Sequence, residues 1–249
     1  MNDRVPDDLA GLATAEGLGE HRGTVLPKRQ SPLMICNLFF MIVVGLFCFV
    51  LPGLWFVRMT MQTPNFSRKA AARRLLFFEH GLIETDRKGR PAAFRWDSMT
   101  VLQEITESYV NGVYIGTGYR YTLHKQDGTV RKVTNFYAEP ERWGPYIQRE
   151  IAGAQLPGML RTLEEGGQFT FGDIALNRGG VATARRGAVT WPEIEDVRVD
   201  NGIFSLRRSG KWLSWSSKPV KDIPNFLLFL ALLDHLRRSA APFAQRTST

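Results

Sequence analysis

The residue types that carry catalysis or bind metals occur in this sequence only as scattered single residues. The four histidines are far apart and none has a second ligand at helical or strand spacing; they are His21, His80, His124 and His235. Glu164 and Glu165 are adjacent, so on a helix their carboxylates point apart and do not form a catalytic pair. The sequence has neither a Gly-x-Ser-x-Gly motif nor a phosphate-binding loop. We therefore predict no enzymatic activity, no catalytic residues, no metal and no cofactor.

Charge and cysteine content narrow the classes of partner. Lys and Arg number 32 against 24 Asp and Glu, and the net charge of +8 favours anionic partners. The positive residues are spread along the chain, which disfavours nucleic acid. Cys36 and Cys48 both lie in one apolar segment, so the rest of the chain can form neither a disulfide nor a thiolate metal site. Lipid headgroups and other proteins remain as predicted partners.

Residues 33–57 form an apolar segment without an ionisable side chain. As one helix rising about 1.5 Å per residue, this segment would exceed the roughly 30 Å hydrocarbon core of a bilayer. Apolar residues would occupy every face of that helix, unlike a core helix of a globular protein. The sequence therefore predicts a single transmembrane helix, an integral protein of the cell (plasma) membrane and, before the helix, a polar tail over residues 1–32.

Basic residues flank the predicted transmembrane helix on both sides, with more of them on the C-terminal side. The positive-inside rule accordingly places the C-terminal region in the cytoplasm. Four basic residues that follow the helix form a candidate lipid-facing cluster: Arg68, Lys69, Arg73 and Arg74. Each basic residue near an anionic membrane surface contributes about 1 kcal/mol to binding. The cluster predicts contact with anionic lipid headgroups, and charge that merely sets membrane orientation is the alternative.

After residue 58, short runs of alternating polarity separated by turn residues predict antiparallel β-structure. Asp-Gly and Asn-Gly pairs accept the positive φ angles that tight hairpin turns require. The predicted hairpins join residues 119–125 to 129–133, 197–199 to 203–206, 204–208 to 212–215, and 75–85 to 92–96. These runs predict a chain that is mostly β beyond the membrane helix.

Two helical segments interrupt the strands. Residues 139–165 have apolar side chains at helical spacing, but Gly153 and Pro157 favour two helices over one. Residues 224–238 form a second helix whose apolar run is too short to cross a bilayer. Each helical segment follows a group of strands, which predicts a duplicated unit of strands closed by a helix.

Several of these motifs resemble a family of uncharacterised bacterial membrane proteins, mostly actinobacterial. The matching stretches are residues 166–172, Trp191-Pro192-Glu193-Ile194, Asp200-Asn201-Gly202, Ile223-Pro224-Asn225-Phe226 and Gly17-Leu18-Gly19-Glu20. The resemblance implies pleckstrin-homology-like (PH-like) domains, in which a bent β-sandwich is closed by a C-terminal helix. It also implies a membrane location, and it supplies no activity and no catalytic residues.

The predicted fold class is α+β, mostly β, with an N-terminal transmembrane helix followed by two PH-like units. The predicted segments are a polar tail (1–32), the transmembrane helix (33–57), the first PH-like unit (58–165), the second PH-like unit (166–238) and a disordered tail (239–249). The predicted function is a membrane-anchored, non-enzymatic module that binds protein or lipid. Two alternatives stay open. One is an enzyme or transport accessory whose site converges from distant strands, and the other is a structural protein that oligomerises through the membrane helix, which Asn37 and Gly45 support.

Overall fold

The computed structural model describes residues 5–48 and 50–244, which form helices and four small antiparallel sheets. The chain divides into two compact units: unit 1 comprises Met1–Arg95 and Val133–Pro140, and unit 2 comprises Trp96–Lys132 and Glu141–Thr249. The α+β, mostly β part of the predicted fold class is confirmed. The segment boundaries predicted at residues 58 and 166 stay a prediction. Of the predicted C-terminal tail, residues 239–244 are helical, and residues 245–249 lie outside the described residues.

Unit 1 is built on a four-stranded sheet in the order β1-β2-β3-β4. Its strands are β1 (His21–Val25), β2 (Leu75–Phe78), β3 (Gly81–Thr85) and β4 (Pro91–Arg95). Helix α1 (Asp7–Ala15) packs Leu9 and Ala13 into the same core as Phe78 and Ile83. The predicted polar leader therefore contributes a helix and a strand to this unit.

A buried ion pair lies on one side of this sheet. The Arg73 guanidinium donates to the Glu84 carboxylate over 2.7 Å and to the Thr85 carbonyl over 3.1 Å. The Tyr137 hydroxyl donates to the same carboxylate over 2.9 Å, and the Phe136 ring lies 4.2 Å below the guanidinium. Burial, together with the nearby Glu84 charge, raises the pKa of Tyr137 above its ordinary value.

The apolar segment forms two helices instead of one. They are α2 (Pro32–Cys48) and α3 (Val50–Met61), and residue 49 lies outside the described residues. The two helices pack against each other as a hairpin with Gly45 facing Gly53, because a Cβ added to Gly45 would lie only 3.1 Å from the Gly53 Cα. At the open end of the hairpin, the Gln30 backbone amide donates to the Asn65 side chain over 2.9 Å. The short helix α4 (Arg68–Ala71) follows.

The prediction of a transmembrane helix over residues 33–57 is therefore wrong. Among the residues that the structure describes, no helix is both long enough and apolar enough to cross a membrane. In addition, β1 precedes the apolar segment and β2 follows it, yet the two strands are hydrogen-bonded neighbours, so both ends of the segment meet at one sheet. The predictions of an integral single-span protein, of the membrane as a partner and of a single-pass location in the plasma membrane depended on that helix and are wrong with it. The prediction depended on the number of consecutive apolar residues, which does not indicate that the chain reverses direction within the segment.

Unit 2 contains most of the remaining strands and two long helices. A three-stranded sheet holds β5 (Thr100–Val110), β6 (Val113–His124) and β7 (Val130–Thr134) in that order. Helix α5 (Pro140–Glu164) comes next. A four-stranded sheet then holds β8 (Phe169–Phe171), β9 (Ile174–Asn177), β10 (Gly180–Thr183) and β11 (Gly187–Thr190). A three-stranded sheet of β12 (Ile194–Asp200), β13 (Ile203–Arg208) and β14 (Ser214–Pro219) precedes α6 (Phe226–Ala244).

All four predicted hairpins form, with two differences in their strands. The strand predicted at residues 212–215 begins at Ser214 and runs to Pro219. Residues 75–85, predicted as one strand, form β2 and β3 with a tight turn at residues 79–80. The prediction of two helices over residues 139–165 is wrong, because α5 runs through Pro157 without a break. The buried face of α5 continues on both sides of that proline with Ile151 and Leu163, and this packing offsets the lost backbone hydrogen bond.

We expect Gly81→Ala to destabilise unit 1 by about 1–3 kcal/mol through overpacking. The added methyl group would lie 2.3 Å from the Phe94 carbonyl oxygen and 2.7 Å from the Leu18 side chain. The matched control is Gly23→Ala in β1, where no atom lies within 4 Å of the added methyl group. Chemical denaturation followed by circular dichroism measures both; equal stabilities for the two variants would contradict the close approach of β3 and β4.

Glu193, which follows β11, provides a pH-dependent stabilisation of unit 2. The Thr190 backbone N–H donates to its carboxylate over 3.0 Å, the Thr190 hydroxyl does so over 2.8 Å, and Arg208 pairs with it. These contacts lower the pKa of Glu193 from 4.5 to about 2. Because the folded pKa is depressed, the stabilisation is present above pH 4.5 and is lost as the pH falls toward 2.

In Glu193→Gln we therefore expect a smaller decrease in the free energy of unfolding across that pH window than in the unsubstituted chain. Denaturation curves recorded at a series of acidic pH values test this. The control is Glu164→Gln, which removes an exposed carboxylate from the end of α5. If both variants had the same pH dependence as the unsubstituted chain, the contribution of Glu193 would be refuted.

Candidate functional site

A groove of about 900 Å³ lies within unit 2, beside strand β5. Three segments line it: residues 103–107 with Tyr109 on β5, the turn between β12 and β13, and residues 219–221 at the end of β14. Phe226 at the start of α6 completes the lining. The volume falls in the range of ligand-binding clefts, and its walls combine apolar side chains with a few charged ones.

The turn between β12 and β13 forms one wall of the groove. Asn201 and Gly202 adopt φ angles of 48° and 72°, the positive values that a two-residue hairpin loop of this type requires. The Val220 amide donates to the Gly202 carbonyl over 2.8 Å and fixes the turn against the segment that follows β14. Val199 and Ile203 flank the turn and are 48% and 41% exposed, so this wall is apolar at its rim.

Asn225 fixes the first part of β5. The Val101 backbone amide donates to the Asn225 side-chain oxygen over 2.7 Å, and the Asn225 backbone amide donates to the Val101 carbonyl over 2.8 Å. The Asn225 carbonyl accepts from the Phe229 amide, which begins the first turn of α6. One buried residue therefore joins the edge of β5 to the N-terminus of α6.

Gln155 of α5 joins the same network. Its side-chain amide donates to the carbonyls of Trp96 and Met99 over 2.8 Å and 3.0 Å. The Asn225 side-chain amide in turn donates to the Gln155 side-chain oxygen over 3.3 Å. Both long helices of unit 2 are thus hydrogen-bonded, through Gln155 and Asn225, to the chain at the start of β5.

The groove has acidic side chains on β5 and a basic side chain, Lys221, on the segment that follows β14. Glu104 pairs with Arg120 of β6 over 2.7 Å and lies 3.8 Å from the Lys221 ammonium. The Glu107 carboxylate accepts a hydrogen bond from the Tyr109 hydroxyl over 2.8 Å, and this bond raises the pKa of Tyr109 above its ordinary value. In the described part of the chain, Glu107 has no ion-pair partner.

Beyond the groove, β5 and β6 continue as an arm with exposed apolar side chains. Each strand has buried residues at the end nearest the core, and none between residues 105 and 118. The exposed apolar residues of the arm are Ile105, Tyr109, Val110, Val113, Tyr114 and Ile115. Exposed apolar side chains concentrated in one element are typical of interaction surfaces.

The basic cluster predicted from the sequence lies in unit 1, away from this groove in the chain. Arg68 and Lys69 are exposed on the short helix α4 (Arg68–Ala71). Arg73 is buried in its ion pair with Glu84, and Arg74 donates to the Ala71 carbonyl over 2.7 Å. The lipid-facing role of these four residues stays a prediction, with the exposed charge concentrated on Arg68 and Lys69.

Sequence reasoning identified parts of the groove without recognising it. The Asp200-Asn201-Gly202 turn was predicted, and Asn225 lies in one of the stretches that carry the family resemblance. Nothing in the sequence indicated that Asn225 pairs with Val101, because 124 positions separate the two residues. In the described ranges, 5–48 and 50–244, no group of three His, Cys, Asp or Glu residues is arranged to hold a metal ion.

We expect Asn225→Gly to destabilise unit 2 by about 1–3 kcal/mol, because it removes the partner of the Val101 amide and leaves that donor buried. The matched control is Asn201→Gly, since Asn201 has the same φ of 48° but an exposed side chain. Glycine tolerates this φ at both positions, so the difference between the variants isolates the side-chain contacts. Equal unfolding free energies in chemical denaturation would refute the role given to Asn225.

Comparison with protein families places most of the chain in one of them. The model of a family of unknown function, DUF6585, matches residues 11–242. No curated protein and no solved structure matches the chain. The predicted resemblance to an uncharacterised family is thereby confirmed, while its membrane location and PH-like fold are not. Because the match covers most of its length, the chain belongs to DUF6585, a family of unknown function.

Proposed function

We propose that this DUF6585 chain is a non-enzymatic binding module that holds a segment of a partner protein in the groove beside β5. The observation that supports this most directly is the groove itself, which runs beside a strand at the end of its sheet and has apolar residues at its rim. Binding a protein segment requires shape, apolar contacts and backbone hydrogen bonds, and no reacting group.

The exposed arm of β5 and β6 supports a protein partner over a small molecule. A small ligand is mostly enclosed by its pocket, whereas protein interfaces have an apolar, aromatic-rich centre that continues over the surface. Here Tyr109 belongs to both the groove and the arm, and its ring lies 5.7 Å from that of Tyr114. Ile105 and Tyr109 therefore belong both to the groove lining and to the exposed apolar residues of the arm.

The scaffold in this proposal is PH-like. In chain order, a four-stranded sheet, a three-stranded sheet and a long helix occur twice, first ending with α5 and then with α6. This order supports the duplicated unit predicted from the sequence. The fold alone does not select a ligand, so the proposal depends on the groove.

To test the proposal, peptides that bind the chain are selected from a display library of random sequences, and their affinities are measured by fluorescence anisotropy. We expect Val199→Glu, at the rim of the groove, to weaken binding at least about tenfold by placing a charge in the apolar contact. The matched control is Val130→Glu, because Val130 is similarly exposed (42% against 48%) and does not line the groove.

The control variant is expected to bind the selected peptides as the unsubstituted chain does. Circular dichroism establishes that both variants keep their strands. Peptides that lose affinity only in Val199→Glu would support the proposal. A selection that yields no binders, or binders that tolerate Val199→Glu as well as Val130→Glu, would contradict it.

A further inference from the structure

One residue of the chain already occupies part of the open edge of β5. Val101 both donates to and accepts from Asn225, over 2.7 Å and 2.8 Å. A residue of a neighbouring antiparallel strand would make the same pair of bonds, with a backbone carbonyl in place of the Asn225 side-chain oxygen. Asn225 therefore imitates one residue of an added strand at the start of β5.

The bonds at Val101 fix the direction of the backbone groups that follow it. In an antiparallel ladder, residues alternate between bonding to the paired strand and pointing away from it. Val101 bonds to Asn225 and so points away from β6, and the pairing of β5 with β6 has no irregularity before Ser108. Hence Gln103, Ile105 and Glu107 also direct their N–H and C=O groups away from β6.

These three residues line the groove. Strand β5 is the terminal strand of its sheet, and β6 is its hydrogen-bonded neighbour. Across the described residues, no backbone group of another segment bonds to Gln103, Ile105 or Glu107 on the groove side. At the strand rise of about 3.3 Å per residue, the open edge from Gln103 to Glu107 extends over roughly 13 Å.

We infer that the partner segment of the proposed function binds as an additional β-strand along β5, in continuation of Asn225. This inference rests on the proposed function and specifies how the groove is used. Backbone bonds to Gln103, Ile105 and Glu107 provide the attachment, and side chains alternate between the groove walls and the opposite face. The occupant is therefore an extended segment rather than a helix.

The side chains at the edge define the chemistry of this segment. Ile105 is 49% exposed and lies with Val199 and Ile203 in the groove lining, so an apolar side chain fits opposite it. Glu107 has a carboxylate without an ion-pair partner among the described residues, and a lysine or arginine of the segment complements it. The segment thus combines an apolar residue with a basic one further along β5.

The walls of the groove favour a single strand over a second copy of this chain. The Asn201-Gly202 turn and residues 219–221 lie beside the open edge. Pairing β5 with β5 of another copy would bring a second β6 and a second set of these walls against them. A single extended segment needs only the space of the groove.

The experiment uses the full chain and a selected peptide that loses affinity in Val199→Glu. The peptide is synthesised as a series in which one backbone nitrogen at a time is methylated, and each member is measured by fluorescence anisotropy. An added strand directs every second N–H toward β5, so we expect methylation to reduce affinity at least about tenfold at alternate positions and to have little effect between them. Loss of affinity without this alternation, or no loss, would overturn the inference while leaving the proposed function intact.

Two variants of the chain give the complementary test. Ile105→Pro removes an N–H that β6 does not use, a position where proline is tolerated on an edge strand, whereas Ile105→Ala shortens the side chain and keeps the N–H. We expect the proline variant to bind at least about tenfold more weakly than the alanine variant. Equal binding by the two variants would contradict the inference. Sedimentation velocity shows whether the unsubstituted chain dimerises. A dimer that is lost in Ile105→Pro and kept in Ile105→Ala would also overturn the inference, since a second copy of the chain would then occupy the edge.

Discussion

The structure of unit 2 depends on the hydrogen bonds of Asn225. Its backbone amide and its side-chain oxygen bond to the carbonyl and the N–H of Val101. Its own carbonyl accepts the hydrogen bond of the Phe229 amide in the first turn of α6. The Asn225 side chain also reaches Gln155 of α5, which in turn binds the chain just before β5. Because buried polar groups are costly when unpaired, these bonds hold the two helices and β5 in one arrangement. Beyond Val101, the edge of β5 from Gln103 to Glu107 lines the groove and has no backbone partner there among the described residues.

Much of the fold was predictable, because its strands are joined by turns with local chemistry. The Asp-Gly and Asn-Gly turns identified the hairpins, since only a few residue types accept positive φ there. The prediction of one membrane helix in the apolar segment was wrong because this segment lacks such local signals. Its side chains are apolar on both helices, so the sequence contained no polar contrast to indicate where the chain reverses, and Gly45 and Gly53 reveal their contact only in three dimensions. Similarly, Pro157 predicted a break that the continuous buried face of α5 overrides.

The groove was harder to predict than the fold. It combines β5, the turn at residues 201–202 and residues 219–221, and about one hundred positions separate the first of these from the others. Its distinctive property is the direction of backbone groups on β5, which depends on which residue of each pair bonds to β6. The sequence does not indicate which residues of β5 direct their backbone groups toward β6 and which direct them away. The contact between Val101 and Asn225 was needed to establish this. Of the predicted basic cluster, Arg73 and Glu84 form a buried pair that no spacing rule would have joined.

The pairing of β1 with β2 has an architectural consequence. The two strands are neighbours in one sheet, although the whole helical hairpin lies between them in the chain. The two ends of the hairpin lie close together, where the Gln30 backbone amide donates to the Asn65 side chain and the Asn65 side-chain amide donates back to the Gln30 backbone carbonyl. The hairpin is therefore an insertion in the loop between two strands, and a short turn is geometrically sufficient to replace it. Lengthening, shortening or exchange of this apolar appendage is open to evolution and to engineering without any change in the register of the sheet.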